Sequence, residues 1–207
     1  MSNLPPAPGM APEGIEAPFA PSVSPVPSVQ NAQNTQRPVS NNVYVGKVNY
    51  TSKQLFEVSG VVDKNKRFPE PIAFVTFIPG VPDNTKATGI TYNQQAKETM
   101  KIAIRDLYAM AEAIMMAANG IAPDFVLYTD SSKSNFNNGN GITKQISVGS
   151  GEYRGKPRVY LNYKGQGQIQ LSLDKFHAIG VAKQLQALCD ATLNKKFEEE
   201  RNYSREG

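Results

Sequence analysis

In 207 residues the chain has one cysteine, Cys189, one histidine, His177, and no tryptophan. A lone cysteine excludes an internal disulfide and any thiolate cluster around a metal, and it fits a reducing, intracellular setting. One Cys and one His are too few for a zinc site, and the single histidine, His177, falls beside Phe176 on the second expected helix, where it reads as a packing or surface residue and not as the base of a Cys/His or Ser/His/Asp triad. Long apolar runs are missing as well: no stretch approaches the roughly 18 residues of a membrane span. The N-terminus has no cationic start leading into an apolar run, so it does not read as a secretory leader. A nucleotide phosphate loop is also absent. "GSGEYRGKP" (149–157) has the wrong glycine spacing for GxxxxGK[ST], and a proline follows its lysine. The carboxylates Asp124, Asp130 and Glu152 show no spacing that would bring two of them into one pocket. No cofactor and no metal is expected, and an enzyme is the least expected class.

Aromatics are scarce at the start. Residues 1–42 hold nine of the fifteen prolines and, among aromatics, only Phe19. Such a segment cannot bury enough apolar surface to offset its ordering entropy, so it reads as a disordered, proline-rich arm, a tether or a partner-binding segment. The whole chain carries +4; the arm, with Glu13, Glu16 and Arg37, is slightly acidic, so the remainder is near +5. That balance suits an anionic partner.

Period-two alternation dominates residues 43–92. "VYVGKVNY" (43–50), "QLFEVSGVV" (54–62), "PIAFVTFIP" (71–79) and "TGITY" (88–92) read as strands separated by turn-forming clusters. The segment 95–120 reads as a helix, with Met100, Ala103, Ile104, Leu107, Ala111, Ile114 and Ala118 drawing one apolar stripe and Gly120 as its stop. Met110, Met115 and Met116 make this helix apolar round much of its circumference, which suits a deep position or a subunit contact.

The pattern then repeats. Strands are expected at 124–130, 142–149, 157–164 and 168–173, with a polar, glycine-rich loop at 131–141. A second helix is expected from an Asp174 N-cap through about residue 196, with Phe176, Ile179, Val181, Leu185, Leu188 and Thr192 on its apolar side. The expected fold is α+β: two ββββα units, two antiparallel sheets and two helices, over residues 43–196. Residues 197–207 read as a charged tail or solvated helix end.

The chemistry concentrates in "YRGKPRVYLNYKGQGQIQLS" (153–172). Alternation sends Val159, Leu161 and Tyr163 to a core, and Arg158, Tyr160, Asn162 and Lys164 to the opposite face. Arg154 and Lys156 extend that row at the strand's start. From 131 to 170 there are six basic residues, Lys144 among them, and one acid, Glu152. Cations neutralise phosphates, and an exposed tyrosine offers a plane on which an unpaired base can stack. Duplex bases are already stacked on one another, so interleaved aromatics favour a single strand. The plain alternative is a solvated strand whose lysines guard against edge pairing. Lys47, flanked by Tyr44 and Tyr50, is a candidate counterpart in the first half, though alternation sets it opposite both tyrosines.

The run Gly155, Lys156, Val159, Leu161, Ile169, Leu171 and Phe176 resembles the core pattern of the transcriptional positive cofactor four family. The duplicated ββββα layout is similar to that of the Whirly proteins, although the Lys-Gly-Lys-Ala-Ala signature of plant members is absent. The resemblance implies binding of single-stranded DNA or RNA along β-hairpins by a homo-oligomer, dimer or tetramer. It also admits a phage-encoded member working in the host cytoplasm. Arg154, Lys156, Arg158 and Lys164 would hold phosphates, with Lys144 and Lys47 as further cations. Tyr160 would stack a base and Asn162 would hydrogen-bond a base or sugar. The competing class is a structural or assembly protein, such as a virion component, that uses the arm and the Met-rich helix for subunit contacts.

Overall fold

The computed structural model describes residues 42–64, 68–130 and 143–203. The proline-rich arm up to residue 41, the glycine-rich part of the loop, Lys133 and residues 204–207 lie outside the described residues.

The first half opens with three long antiparallel strands, β1 (Asn42–Thr51), β2 (Gln54–Asp63) and β3 (Glu70–Pro82). A short β4 (Ile90–Tyr92) pairs with the end of β3, and a single 3₁₀ turn at Gln94–Ala96 comes next. β5 (Glu98–Ala103) then pairs with β3 on the side away from β2. Helix α1 runs Ile104–Ala118. The first half is therefore five strands and a helix, and the opening turns of the expected helix are a strand instead. The segment "ETMKIAI" satisfies both periods: Met100, Ala103, Ile104 and Leu107 fit a helical stripe, while Met100, Ile102 and Ile104 alternate. Pairing along β3 decides between them, burying Met100 and Ile102 in the core while Lys101 stays exposed.

The second half is β6 (Phe125–Asp130), β7 (Thr143–Tyr153), β8 (Lys156–Lys164) and β9 (Gln168–Asp174), one antiparallel sheet in that order. Helix α2 runs Lys175–Tyr203. It continues through the segment expected as a charged tail. Lys195 pairs with Glu198 and Glu199, Lys196 pairs with Glu200, and Lys64 reaches Glu199 at 2.7 Å, so this stretch is laced along the helix and tied to the end of β2.

One continuous core joins the inner faces of both sheets to both helices. Phe56, Phe77 and Tyr163 form a chain of tilted rings at 5.2 and 5.4 Å that crosses from the first sheet to the second. α2 buries Ala178, Val181, Ala182, Leu185, Leu188, Cys189 and Thr192. It approaches closely where Gly46 and Gly60 face each other across β1 and β2: a Cβ on Gly60 would come within 2.9 Å of Leu188 Cδ1. Phe176, expected on the apolar side of α2, is 82% exposed. It stands two residues, about 200° of helix rotation, from the buried Ala178. Met100 and Met110 are core, Met115 is half-buried and Met116 is exposed. Among the described residues no helix is long and apolar enough to cross a membrane.

Candidate nucleic-acid interface

The β7–β8 connection is a two-residue loop, Arg154–Gly155, between the paired Tyr153 and Lys156. Both loop residues have positive φ, 53° and 71°. Consecutive positive φ values give a turn whose twist matches that of the flanking strands, and glycine takes the second position at no steric cost. Arg154 holds the left-handed conformation at a cost of about 1–2 kcal/mol, and its guanidinium lies over the Tyr153 ring at 5.3 Å. The Arg158 guanidinium lies 6.0 Å from the same ring.

Beyond the turn, β8 alternates as the sequence requires. Val159, Leu161 and Tyr163 are buried; Arg158, Tyr160 and Asn162 are half-buried on the other face, and Lys164 is exposed. The ladders complete that face. Arg158 stands between Gly151 and Asp174, Tyr160 between Gly149 and Ser172, Asn162 between Ser147 and Gln170, and Lys164 between Gln145 and Gln168. Val126 and Tyr128 of β6 extend it opposite Ser147 and Gln145, the tyrosine 61% exposed. The ring of Tyr160 lies over Gly151, where a Cβ would come within 2.9 Å of Cε2.

The β1–β2 turn of the first sheet closes one side of this surface. Its residues Ser52, Lys53 and Gln54, together with Tyr153, Arg158, Tyr160, Gln170 and Ser172, line a cleft of about 480 Å³. The turn is fixed by hydrogen bonds: Gly80 N–H donates to the Lys53 carbonyl at 3.1 Å and the Tyr92 hydroxyl to the Ser52 carbonyl at 2.9 Å. Lys53 of the first sheet therefore lines the same cleft as Arg158, Tyr153 and Tyr160 of the second.

At the cleft's edge Asp174 caps α2, accepting from the backbone N–H groups of Phe176 and His177, both at 3.0 Å. These bonds, with the His177 ring nitrogen 2.5 Å from its other oxygen, hold its carboxyl below the usual aspartate range. The His177 and Tyr50 rings form a T-shaped pair with centroids 5.5 Å apart. Burial pushes the Tyr50 phenol up, the Asp174 charge adds to this, and Arg158 opposes it. Arg158 thus sits in a half-buried polar setting, and its Nε is buried with no hydrogen-bond partner among the described residues. Such an orphaned donor costs about 1–3 kcal/mol, which an anionic oxygen entering the cleft would offset.

Of the eight residues singled out in the sequence, the structure gathers Arg158, Tyr160, Asn162 and Lys164 on one face, with Arg154 and Lys156 at its hairpin end. Lys144 and Lys47 lie elsewhere. Lys144 shares its side of β7 with the buried Ile146 and Val148, and its Nζ donates to the Thr99 carbonyl at 2.7 Å, near Glu98 at 3.9 Å. Glu98 also accepts from the Tyr163 hydroxyl at 2.8 Å, so this group joins the two sheets internally. Burial and Glu98 together push the Tyr163 phenol well above its ordinary value. Lys47 lies on the first sheet, ion-paired with Glu57 at 2.5 Å. Sequence reasoning missed Lys53, whose only signal is a "TSK" turn about a hundred residues away in the chain. It also passed over Tyr153, Gln170 and Ser172 as site residues, although Tyr153 opens the basic and aromatic run and the other two share the outward parity of β9.

No protein-family model and no curated protein sequence matches the chain. The crystal structure of WHY1 from Arabidopsis thaliana does match in three dimensions, with a TM-score of 0.52 over 79% of this chain and 93% of that one, at 10% sequence identity. The chain has a Whirly-like fold. The plant transcriptional regulator PBF-2 superposes with a TM-score of 0.48 at 12% identity, over 77% of this chain and 87% of that one. The Whirly-like frame, two antiparallel sheets each leading into a helix, agrees with the duplicated layout read from the sequence. The side chains of the site are this chain's own.

Proposed function

We propose that this protein binds single-stranded nucleic acid, DNA or RNA, along the open face of the second sheet. Its action is binding, not catalysis. The reading is carried by one observation: the cleft between the β1–β2 turn and that face joins Lys53 and Arg158 to the rings of Tyr153 and Tyr160. Arg158, Lys53, Lys156 and Lys164 neutralise phosphates, with Arg154 at the hairpin tip. Tyr160 and Tyr153 offer ring surfaces to unpaired bases, and Asn162 offers an amide to a base or sugar. A contact set of cations and rings is indifferent to sequence, so binding is broadly sequence-tolerant. Self-association as a dimer or tetramer accompanies this reading, supported by the exposed Tyr108 and Met116 on α1, and the mass in solution tests it.

A retardation assay with a labelled oligonucleotide, single-stranded and as duplex, at two salt concentrations tests the function. The reading requires tighter binding of the single strand and an affinity that falls with salt, at a log–log slope of about −0.7 per phosphate neutralised. Equal affinity for both forms contradicts the stacking component.

A further inference from the structure

Next to Tyr160 on the open face, Asn162 and Gln170 stand directly opposite each other across β8 and β9. The Gln170 Nε2 donates to the Asn162 Oδ1 at 2.8 Å. Each amide carries both a donor and an acceptor, so one mutual hydrogen bond leaves the other half of each free. What remains outward is a donor from Asn162 and an acceptor from Gln170. Rotating both amides by half a turn reverses the bond and exchanges those roles at no change in hydrogen-bond count.

We propose that this amide pair recognises the pairing edge of an unpaired base, whichever base it is. The inference rests on the single-strand reading above and adds a specificity element to it. Every base carries an adjacent donor and acceptor on its pairing edge. In adenine and cytosine these are an exocyclic amine and a ring nitrogen. In guanine and in thymine or uracil they are a carbonyl and a ring N–H, in the opposite order. A pair of fixed polarity would select one class. A pair that inverts by concerted amide rotation accepts both, which gives sequence tolerance without giving up hydrogen bonds. In a duplex the same edge is already occupied, so the pair discriminates strandedness independently of stacking. The setting suits this role. The pair lies one pleat repeat, about 6.6 Å, along the face from Tyr160. Gln170 also lines the cleft with Tyr160 and Arg158. Asn162 is half-buried, and its bond to Gln170 keeps the two amides side by side before a ligand arrives.

The test compares oligothymidine with an oligonucleotide of the same length made wholly of 3-methylthymidine, using the full chain. The methyl group blocks the pairing edge and keeps both the ring face and the phosphates. Wild type should bind the methylated strand about tenfold more weakly, the loss expected for one or two hydrogen bonds. It should bind oligodeoxycytidine, whose edge has the opposite order, about as tightly as oligothymidine; a roughly tenfold preference for either unmodified strand overturns the inverting pair. Gln170→Met and, separately, Asn162→Leu should bind the unmodified strand about that weakly and should no longer distinguish the two. If wild type binds both strands equally while Tyr160→Ala weakens both, the amide-pair inference is overturned and the binding function stands. If wild type binds neither strand, both fail.

Discussion

Replacing Gly151 by alanine tests the geometry of the open face with a single methyl group. The new Cβ would stand 2.9 Å from Cε2 of Tyr160, with Cδ2 at 3.6 Å and Cζ at 3.9 Å. Carbon atoms in contact prefer about 3.5–4.0 Å, so the near edge of the ring must move away by roughly half an ångström or more. The ring is the far end of a side chain on a solvent-facing surface, and an off-rotamer adjustment costs about 0.5–1.5 kcal/mol. Gly151 is not among the positive-φ residues, so alanine is compatible with its backbone. The folded state should lose little, and the melting temperature should move by a few degrees at most. The stack is different, because a base that lies on Tyr160 follows the tilt of its ring. A stack is worth about 1–3 kcal/mol per base, and losing roughly half of it weakens binding about threefold to tenfold. Fluorescence anisotropy with a labelled single strand measures this, and the salt slope should not change because no cation has been touched. Wild-type binding by Gly151→Ala, with Tyr160→Ala impaired, would refute this geometry, because the ring would then bind in some other pose.

The remaining expectations divide cations from rings and site from scaffold. Arg158→Ala should flatten the salt slope by about 0.7, whereas Tyr160→Ala should lower affinity by about 1–3 kcal/mol and leave the slope alone; salt titrations of both variants check this. Lys144→Met should leave the salt slope unchanged and lower the urea midpoint, because it cuts an internal link between the sheets. Asp174→Ala removes the α2 cap and should cost about 0.5–2 kcal/mol of stability. The Asp174 carboxyl is held below its ordinary value of 3.8 by the His177 and Phe176 backbone N–H groups and the His177 ring. Its contribution is therefore fully present above that value and is lost as pH falls through the lowered one. Acid unfolding should thus be shallower in the variant than in wild type.

Much of this architecture was legible because period-two alternation is hard to counterfeit. β1 to β3 and β6 to β9 fall where the alternating runs are. β5 was hidden because Met100, Ile102 and Ile104 share a segment with good helix formers, and only the pairing of β3 on that side chooses the strand. The last turns of α2 carry charges that read as a tail in the sequence, and their ion pairs, one of them with Lys64 just past the end of β2, become visible only in three dimensions. At the site, parity alone placed Arg158, Tyr160, Asn162 and Lys164 together. Parity also argues against Lys144, which matches Ile146 and Val148, but a local count of charges ignores parity. Lys53 could not be found at all from sequence, because a turn in one sheet meets the face of the other only in three dimensions.

The most direct test is photocrosslinking of a bound single strand carrying 5-iodouracil, with mass spectrometry of the crosslinked peptides. Crosslinks are expected within residues 153–164, on Tyr153 or Tyr160, with loss of signal in Tyr160→Ala. Crosslinks confined to the first sheet around Lys47, from a strand that is fully bound, would contradict a binding track on the second sheet.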